Sequence, residues 1–206
     1  MSGVEIGNRR SAIRTPPGGR LVVLSGPAGV GKSTVAARLC RELGIRRSIS
    51  ATTRLARPGE ADGRDYWFLS EAEFQRRLAR GEFLEHARVH GHLYGTPRGP
   101  IEEALRAGEC RLLVIDVQGA MQVRAAFPDA LLIFLDAPDA ATLARRLAGR
   151  CTENPEELRR RLAMAVAERR YKDRYDHGVT NDDLDRAVAE IRDLIIRGRT
   201  PDHRRP

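Results

Sequence analysis

The stretch Arg20-Leu-Val-Val-Leu-Ser-Gly-Pro-Ala-Gly-Val-Gly-Lys-Ser-Thr34 decides how this chain folds. Arg20 to Ser25 is an aliphatic run of the length of a buried strand. Gly26 to Ser33 then fits the spacing G-x-x-x-x-G-K-[ST], and a helical pattern starts at once and runs to about Leu43. Gly26, Gly29 and Gly31 lack a Cβ, so the backbone can turn sharply and aim several N–H groups at one anion. Lys32 has the reach for β- and γ-phosphate oxygens, and the Ser33 hydroxyl suits Mg²⁺. The expectation is a nucleoside triphosphate cradled by the backbone of Gly26, Pro27, Ala28, Gly29, Val30, Gly31, Lys32, Ser33 and Thr34. A turn that merely joined strand to helix would need none of this spacing.

Around this loop the chain alternates strands and helices. Arg47 to Ser50 reads as a short strand, and residues 51 to 65 as a polar segment with turns at Pro58-Gly59 and Asp62-Gly63. Tyr66 to Leu69 reads as a strand. Ser70 and Glu73 form a capping box for a helix that carries Phe74 and Leu78 and stops at Gly81. Phe83 to Val89 and Leu93-Tyr94 read as strands around a turn at Gly91. Alternation resumes with a helix near 97–107, a strand from Arg111 to Val117, a helix from about Gly119, a strand from Ala130 to Leu135, and a helix capped by Asp139. Residues 148–162 are dense in charge and read as a mobile flap; a helix to Tyr171, a strand near Gly178 and a helix from Leu184 to Arg197 follow.

The expected fold class is therefore α/β: a three-layer P-loop core with a mostly parallel sheet covered on both faces, an inserted β-rich lobe and a charged lid segment. The expected organisation is a flexible basic arm over 1–19, core over 20–47, the lobe over 48–96, core over 97–147, the lid over 148–167, core over 168–198 and a tail over 199–206.

A formal charge of +8 and a pI near 10.2 point to an acidic partner. The two lysines are Lys32 and Lys172; the other 34 basic residues are arginine, a skew that genome composition alone can produce. Lys32 inside the loop stands out against it. Cys40, Cys110 and Cys151 are widely spaced, which fits reduced thiols in a cytoplasmic protein and neither a disulfide framework nor a zinc site. No apolar stretch is long enough to span a membrane, and the first residues lack the apolar core of a secretory signal. The neighbours His86, His90 and His92 read as exposed strand histidines.

Ser50-Ala-Thr-Thr-Arg54-Leu-Ala-Arg57-Pro-Gly-Glu60 puts two guanidiniums three residues apart on a turn-bounded loop, with Tyr66 beyond. Planar guanidiniums take a phosphate monoester bidentately, and a phenol adds a neutral donor. This motif, with Gly63-Arg-Asp-Tyr66, Phe83-Leu-Glu85, Tyr94-Gly-Thr96, Ile115-Asp-Val-Gln-Gly119, Arg146-Leu-Ala-Gly-Arg150 and Asn181-Asp-Asp183, resembles guanylate kinase from about Gly19 to Arg197. The resemblance implies transfer of the γ-phosphoryl of ATP to GMP or dGMP with Mg²⁺. It implies that Ser50, Arg54, Arg57, Tyr66 and Tyr94 hold the GMP phosphate, with Glu85, Thr96 and Asp116 around the acceptor nucleotide. It also implies that Arg150 and Arg161 are lid arginines, joined in catalysis by Lys32, Arg54 and Arg57, and that Arg146 and Asn181 serve the donor. Asn181 is equally well placed to cap the following helix.

Guanine gives Glu85 an independent rationale. A carboxylate accepts from N1–H and the 2-amino group side by side, whereas adenine offers a bare acceptor at N1. Thr96 is suited to donate to O6. Two departures stand out: Val114 where the family often has an acidic residue, and Cys151 where it usually has glycine.

Competing functions are a non-catalytic binding module, a kinase for a phosphorylated sugar, and nucleic-acid binding. The intact Gly31-Lys32-Ser33, the pairing of Glu85 with Thr96, and the lack of a recognition motif argue against them in turn. No specific nucleic acid or membrane partner is expected, and the sequence leaves the oligomeric state open.

Overall fold

The computed structural model describes residues 19–89, 91–148 and 155–198. The expected arm up to residue 18, His90, the flap segment 149–154 with Arg150 and Cys151, and the tail from 199 lie outside the described residues.

In chain order the elements begin with β1 (Arg20–Ser25), α1 (Lys32–Leu43), β2 (Arg46–Arg47), β3 (Ala51–Thr52), β4 (Trp67–Phe68) and α2 (Glu71–Ala79). Then come β5 (Phe83–Val89), β6 (His92–Pro97), α3 (Arg98–Arg106), β7 (Cys110–Val114) and α4 (Val117–Ala126). The remainder is β8 (Leu131–Asp136), α5 (Ala140–Ala148), α6 (Pro155–Arg169), β9 (His177–Thr180) and α7 (Leu184–Arg197). One sheet has the order β2-β7-β1-β8-β9, parallel at every pairing, with β1 in the centre.

Alternation along these strands feeds two apolar layers. Val22, Leu24, Leu112, Leu131, Ile133 and Leu135 face α1, α5, α6 and α7; Leu21, Val23, Leu113, Leu132 and Phe134 face α3 and α4. A central parallel strand is covered on both sides, and Val22, Val23 and Leu24 are fully buried. The three-layer α/β expectation holds. All five strands run the same way, so the loops after β1 and β7 open at the same end of the sheet, where open α/β sheets place their ligands.

A second sheet, β4-β3-β6-β5, spans 51–97 around a small core of Ala51, Phe74, Phe83 and Leu93, with the Phe74 and Phe83 rings stacked at 4.4 Å. β3 lies in the segment expected to be turns. Two residues carry no period; the strand exists because Ala51 pairs with Trp67 on one side and Gly95 on the other. β2 starts one residue earlier than expected and leaves the sheet after Ser48 N donates to Leu112 O. The capping box is half formed: Ser70 accepts from Glu73 N, but the Glu73 carboxylate is taken by Arg76 and Arg77. Part of the expected flap is helix, since Pro155 opens α6, where a missing N–H costs nothing.

β8 is locked to the start of β9 by Asp176. Its Oδ2 accepts from Leu132 N at 2.8 Å and from Arg124 Nη2 at 2.6 Å, and its own N–H donates to Leu132 O. Truncation removes the carboxylate from a half-buried guanidinium, which keeps its Nη1 bonds to Pro128 O and Ala130 O, and leaves the buried Leu132 amide without its acceptor. Asp176→Ala is expected to cost about 2–4 kcal/mol in urea unfolding and Asp176→Asn clearly less, because the amide oxygen still accepts from Leu132.

Candidate active site

The loop between β1 and α1 is held from behind. Val30 O accepts from Asn181 Nδ2 at 2.7 Å and from Arg146 Nη1 at 3.5 Å, while Arg146 Nη2 donates to Asn181 O at 3.0 Å. Asn181 is buried, and its N–H donates to Asp136 O at the end of β8. Gly31, just before α1, has φ 96°, and a Cβ there would stand 2.6 Å from Asn181 Nδ2. Both left-handed backbone and contact distance demand glycine. The capping role for Asn181 is therefore corrected: α7 is capped by Asp183, which accepts from Arg186 N at 2.9 Å. A cap must immediately precede the first helical residue, and Asn181 sits two residues too early.

Lys32 curls over the loop and donates Nζ to Gly26 O at 2.5 Å and Pro27 O at 2.9 Å. The Glu168 carboxylate on α6 faces the Ala28 amide and the Lys32 charge; burial, the largest influence, raises its pKa. Helix α6 had been expected to bring arginines, not this acid. Arg169 anchors the helix by donating Nε to Asp136 Oδ1 at 2.8 Å.

In the second sheet, Arg54 forks onto Glu60 through Nη1 at 2.9 Å and Nη2 at 3.0 Å, and its Nε donates to Tyr94 Oη at 3.2 Å. Its guanidinium stands 5.4 Å from the Tyr66 ring centroid. Glu60 also accepts from Arg57 N at 2.8 Å, which shapes the 57–60 turn. Glu60 was missed as a site residue, although a carboxylate three residues after Arg57 is a sequence-visible partner. Arg54, Arg57, Tyr66, Tyr94 and Ser33 border a polar cavity of about 260 Å³, together with Arg47, another residue the motif did not single out.

Glu85 is buried, not a strand-edge charge. Thr96 Oγ1 donates to its Oε1 at 2.5 Å, and Ser50 Oγ lies 3.3 Å from Thr96 Oγ1. With the threonine proton spent on Glu85, the serine must be the donor of that second bond, giving a relay Ser50→Thr96→Glu85. Burial pushes the Glu85 pKa up to about 7, opposed by the Thr96 hydrogen bond and reinforced by the nearby Asp116 carboxylate. Gly119 makes room: a Cβ would meet Glu85 Oε2 at 2.4 Å. Asp116 itself caps α4, accepting from Gly119 N at 2.8 Å.

A cleft of about 260 Å³ joins these parts. Lys32, Ser33 and the loop backbone from Ala28 to Gly31 form one wall, Ser50, Arg57, Tyr66, Glu85 and Tyr94 the opposite one, and Asp116, Arg161 and Glu168 close the ends. Arg54 and Thr96 stand behind that lining, while Arg146 and Asn181 lie on the far side of the loop, bonded to backbone carbonyls. Ser33 borders both cavities, so a hard oxygen donor sits between them.

The guanylate kinase family model matches residues 18–197. The chain belongs to the guanylate kinase family. It is 50% identical over 181 residues to the guanylate kinase of Symbiobacterium thermophilum, covering 87% of this chain and 86% of that one. It is 50% identical over 192 residues to that of Gloeobacter violaceus, covering 91% and 93%. The crystal structure of guanylate kinase from Anaplasma phagocytophilum superposes with a TM-score of 0.74 at 35% identity, over 88% of this chain and 86% of that one.

The Glu85 pKa carries a stability signature. A carboxyl held near 7 when folded and near its ordinary 4.5 when unfolded favours the folded state fully below about pH 4.5, and that contribution is lost as pH rises through about 7. The stability of the parent relative to Glu85→Gln, which cannot ionise, is expected to fall by about 3 kcal/mol between about pH 4 and pH 8, read from urea midpoints.

Proposed function

We propose that this chain transfers the γ-phosphoryl group of ATP to GMP, yielding ADP and GDP, with the donor on the Gly26–Thr34 loop and the acceptor over the second sheet. The observation that carries it is the facing of a phosphate loop and a buried carboxylate across one cleft, with arginines and tyrosines beside the carboxylate. Glu85 accepts from guanine N1–H and the 2-amino group. Those donors replace Thr96 on the carboxylate and release the threonine proton toward O6, so the relay ends on the base instead of on Glu85 when guanine enters. A site whose polar groups pair with guanine leaves them unpaired against adenine.

At the other end Arg54, Arg57, Tyr66 and Tyr94 seat the acceptor phosphate. The Lys32 ammonium leaves the carbonyls of Gly26 and Pro27 for the donor's β- and γ-oxygens. Arg161, and Arg150 of the lid, close on the transferring group and exclude water. Positioning and charge suffice; no general base is assigned.

Mg²⁺ fits the donor set. Ser33 offers a hydroxyl beside the loop, and this ion takes much of its coordination from substrate phosphates and water rather than from an all-protein cage. Ser33 would hold it directly, with Asp116 and Glu168 as the carboxylates at the cleft ends. Held there, the ion would supply positive charge to offset the negative charge that develops on the transferring phosphoryl group. Among the described residues no helix is long and apolar enough to cross a membrane, and we place the reaction in the cytoplasm.

A coupled ADP-release assay with ATP and Mg²⁺ tests the proposal, offering GMP, AMP, CMP, UMP and ribose 1,5-bisphosphate in turn. Turnover is expected on GMP and to drop by about 10²-fold or more in Lys32→Ala. GMP bound without turnover, or turnover on the sugar phosphate, overturns it. Because guanine pairs with the ionised carboxylate, GMP affinity is expected to rise with pH through about 7. Calorimetric titration of Glu85→Gln should give a weaker affinity whose remaining pH dependence is that of the GMP phosphate alone, whose second ionisation lies at about pH 6.

A further inference from the structure

We infer that Arg47, at the end of β2, is an additional ligand of the acceptor phosphate, and that Arg47 and Arg57 supply the two positive charges that balance a phosphate dianion. The inference rests on the acceptor assignment above and adds a residue to it.

Charge pairing inside the polar cavity singles out these two residues. Three guanidiniums border it, those of Arg47, Arg54 and Arg57, along with the carboxylates of Glu60 and Asp65. Arg54 is matched by Glu60 through a two-point fork, with side chains only 12% and 20% exposed. Asp65 is matched by Arg64, which donates Nε to Oδ2 at 2.8 Å, and the same oxygen accepts from Ala61 N at 2.9 Å. Two cations remain without a direct carboxylate contact. Among the described residues neither Arg47 nor Arg57 forms an ion pair; each acts on a carboxylate only at longer range, Arg47 on Asp65 and Arg57 on Glu60. A phosphate monoester near neutral pH carries a charge of about −1.5 to −2, which matches these two guanidiniums.

Arg47 is also held in place. It extends the parallel ladder opposite Leu112, and on a strand its side chain leaves on the face opposite that of Arg46, which is exposed. Its Nη2 donates to Asp65 O at 3.2 Å. That bond fixes one corner of a planar fork and leaves other N–H groups for the cavity. β2 belongs to the core sheet, whereas Arg54 and Arg57 lie on the loop after β3 of the second sheet, so the cavity draws its guanidiniums from both. Ser33 borders the same cavity. An ammonium in this position would give a point charge without the fork.

The test uses the full chain carrying Arg47→Met, Arg47→Lys or Arg57→Met. Dissociation constants are measured for GMP, for guanosine, which has the base without the phosphate, and for ATP. Arg47→Met is expected to weaken GMP about tenfold or more while guanosine and ATP move less than about twofold, with Arg47→Lys intermediate and the urea midpoint unchanged. Equal weakening of guanosine and GMP would mean that Arg47 only braces the 61–65 turn, and overturns the inference. Weakening of ATP with GMP unchanged overturns it in favour of the donor. A GMP loss in Arg57→Met but none in Arg47→Met removes Arg47 alone. No loss in either variant overturns the inference and the acceptor assignment together.

Discussion

An anion-binding loop works only if its backbone is shaped before the anion arrives, and in this chain that shape hangs on the carbonyl of Val30. Asn181 and Arg146 both donate to it, and Asn181 is itself fixed to the end of β8. Three elements far apart in sequence thus hold one peptide group, while Gly31 takes the left-handed turn that lets α1 begin. Residues expected to serve the donor by touching it are bonded here to the loop that would touch it.

The acceptor side combines one paired guanidinium with two that have no direct carboxylate contact among the described residues. Glu60 neutralises Arg54 and shapes the turn that presents Arg57, so the second sheet holds its arginines in place without leaving all of them to repel one another. Glu85 solves a different problem. A buried carboxylate is costly to ionise, and the Thr96 hydrogen bond together with the space at Gly119 is what makes that burial tolerable. The side chain is thereby kept ready for a ligand that supplies two donors.

Helix α6 connects the two halves. Arg169 anchors it to Asp136, so that Glu168 lies against the phosphate loop and Arg161, two turns earlier, faces the same cleft. Glu168 beside Lys32 gives the loop a carboxylate neighbour at the place where phosphate oxygens would enter.

The sequence by itself determined the parallel sheet, the phosphate loop and the acceptor motif, because a buried strand needs an unbroken apolar run and a phosphate cradle needs glycines at fixed spacing. Those are local demands, and they leave local marks. Only the tertiary structure decided β3, which exists through pairing on both sides; the burial of Glu85, which depends on α4 packing over β5; and the true partner of Asn181, which is Val30 across the fold and not the helix two residues ahead. Arg47 was invisible for the same reason. Nothing around it in the chain distinguishes it from Arg46, and the cavity that does so is assembled from Ser33, Arg54 and Tyr66 only when the two sheets meet.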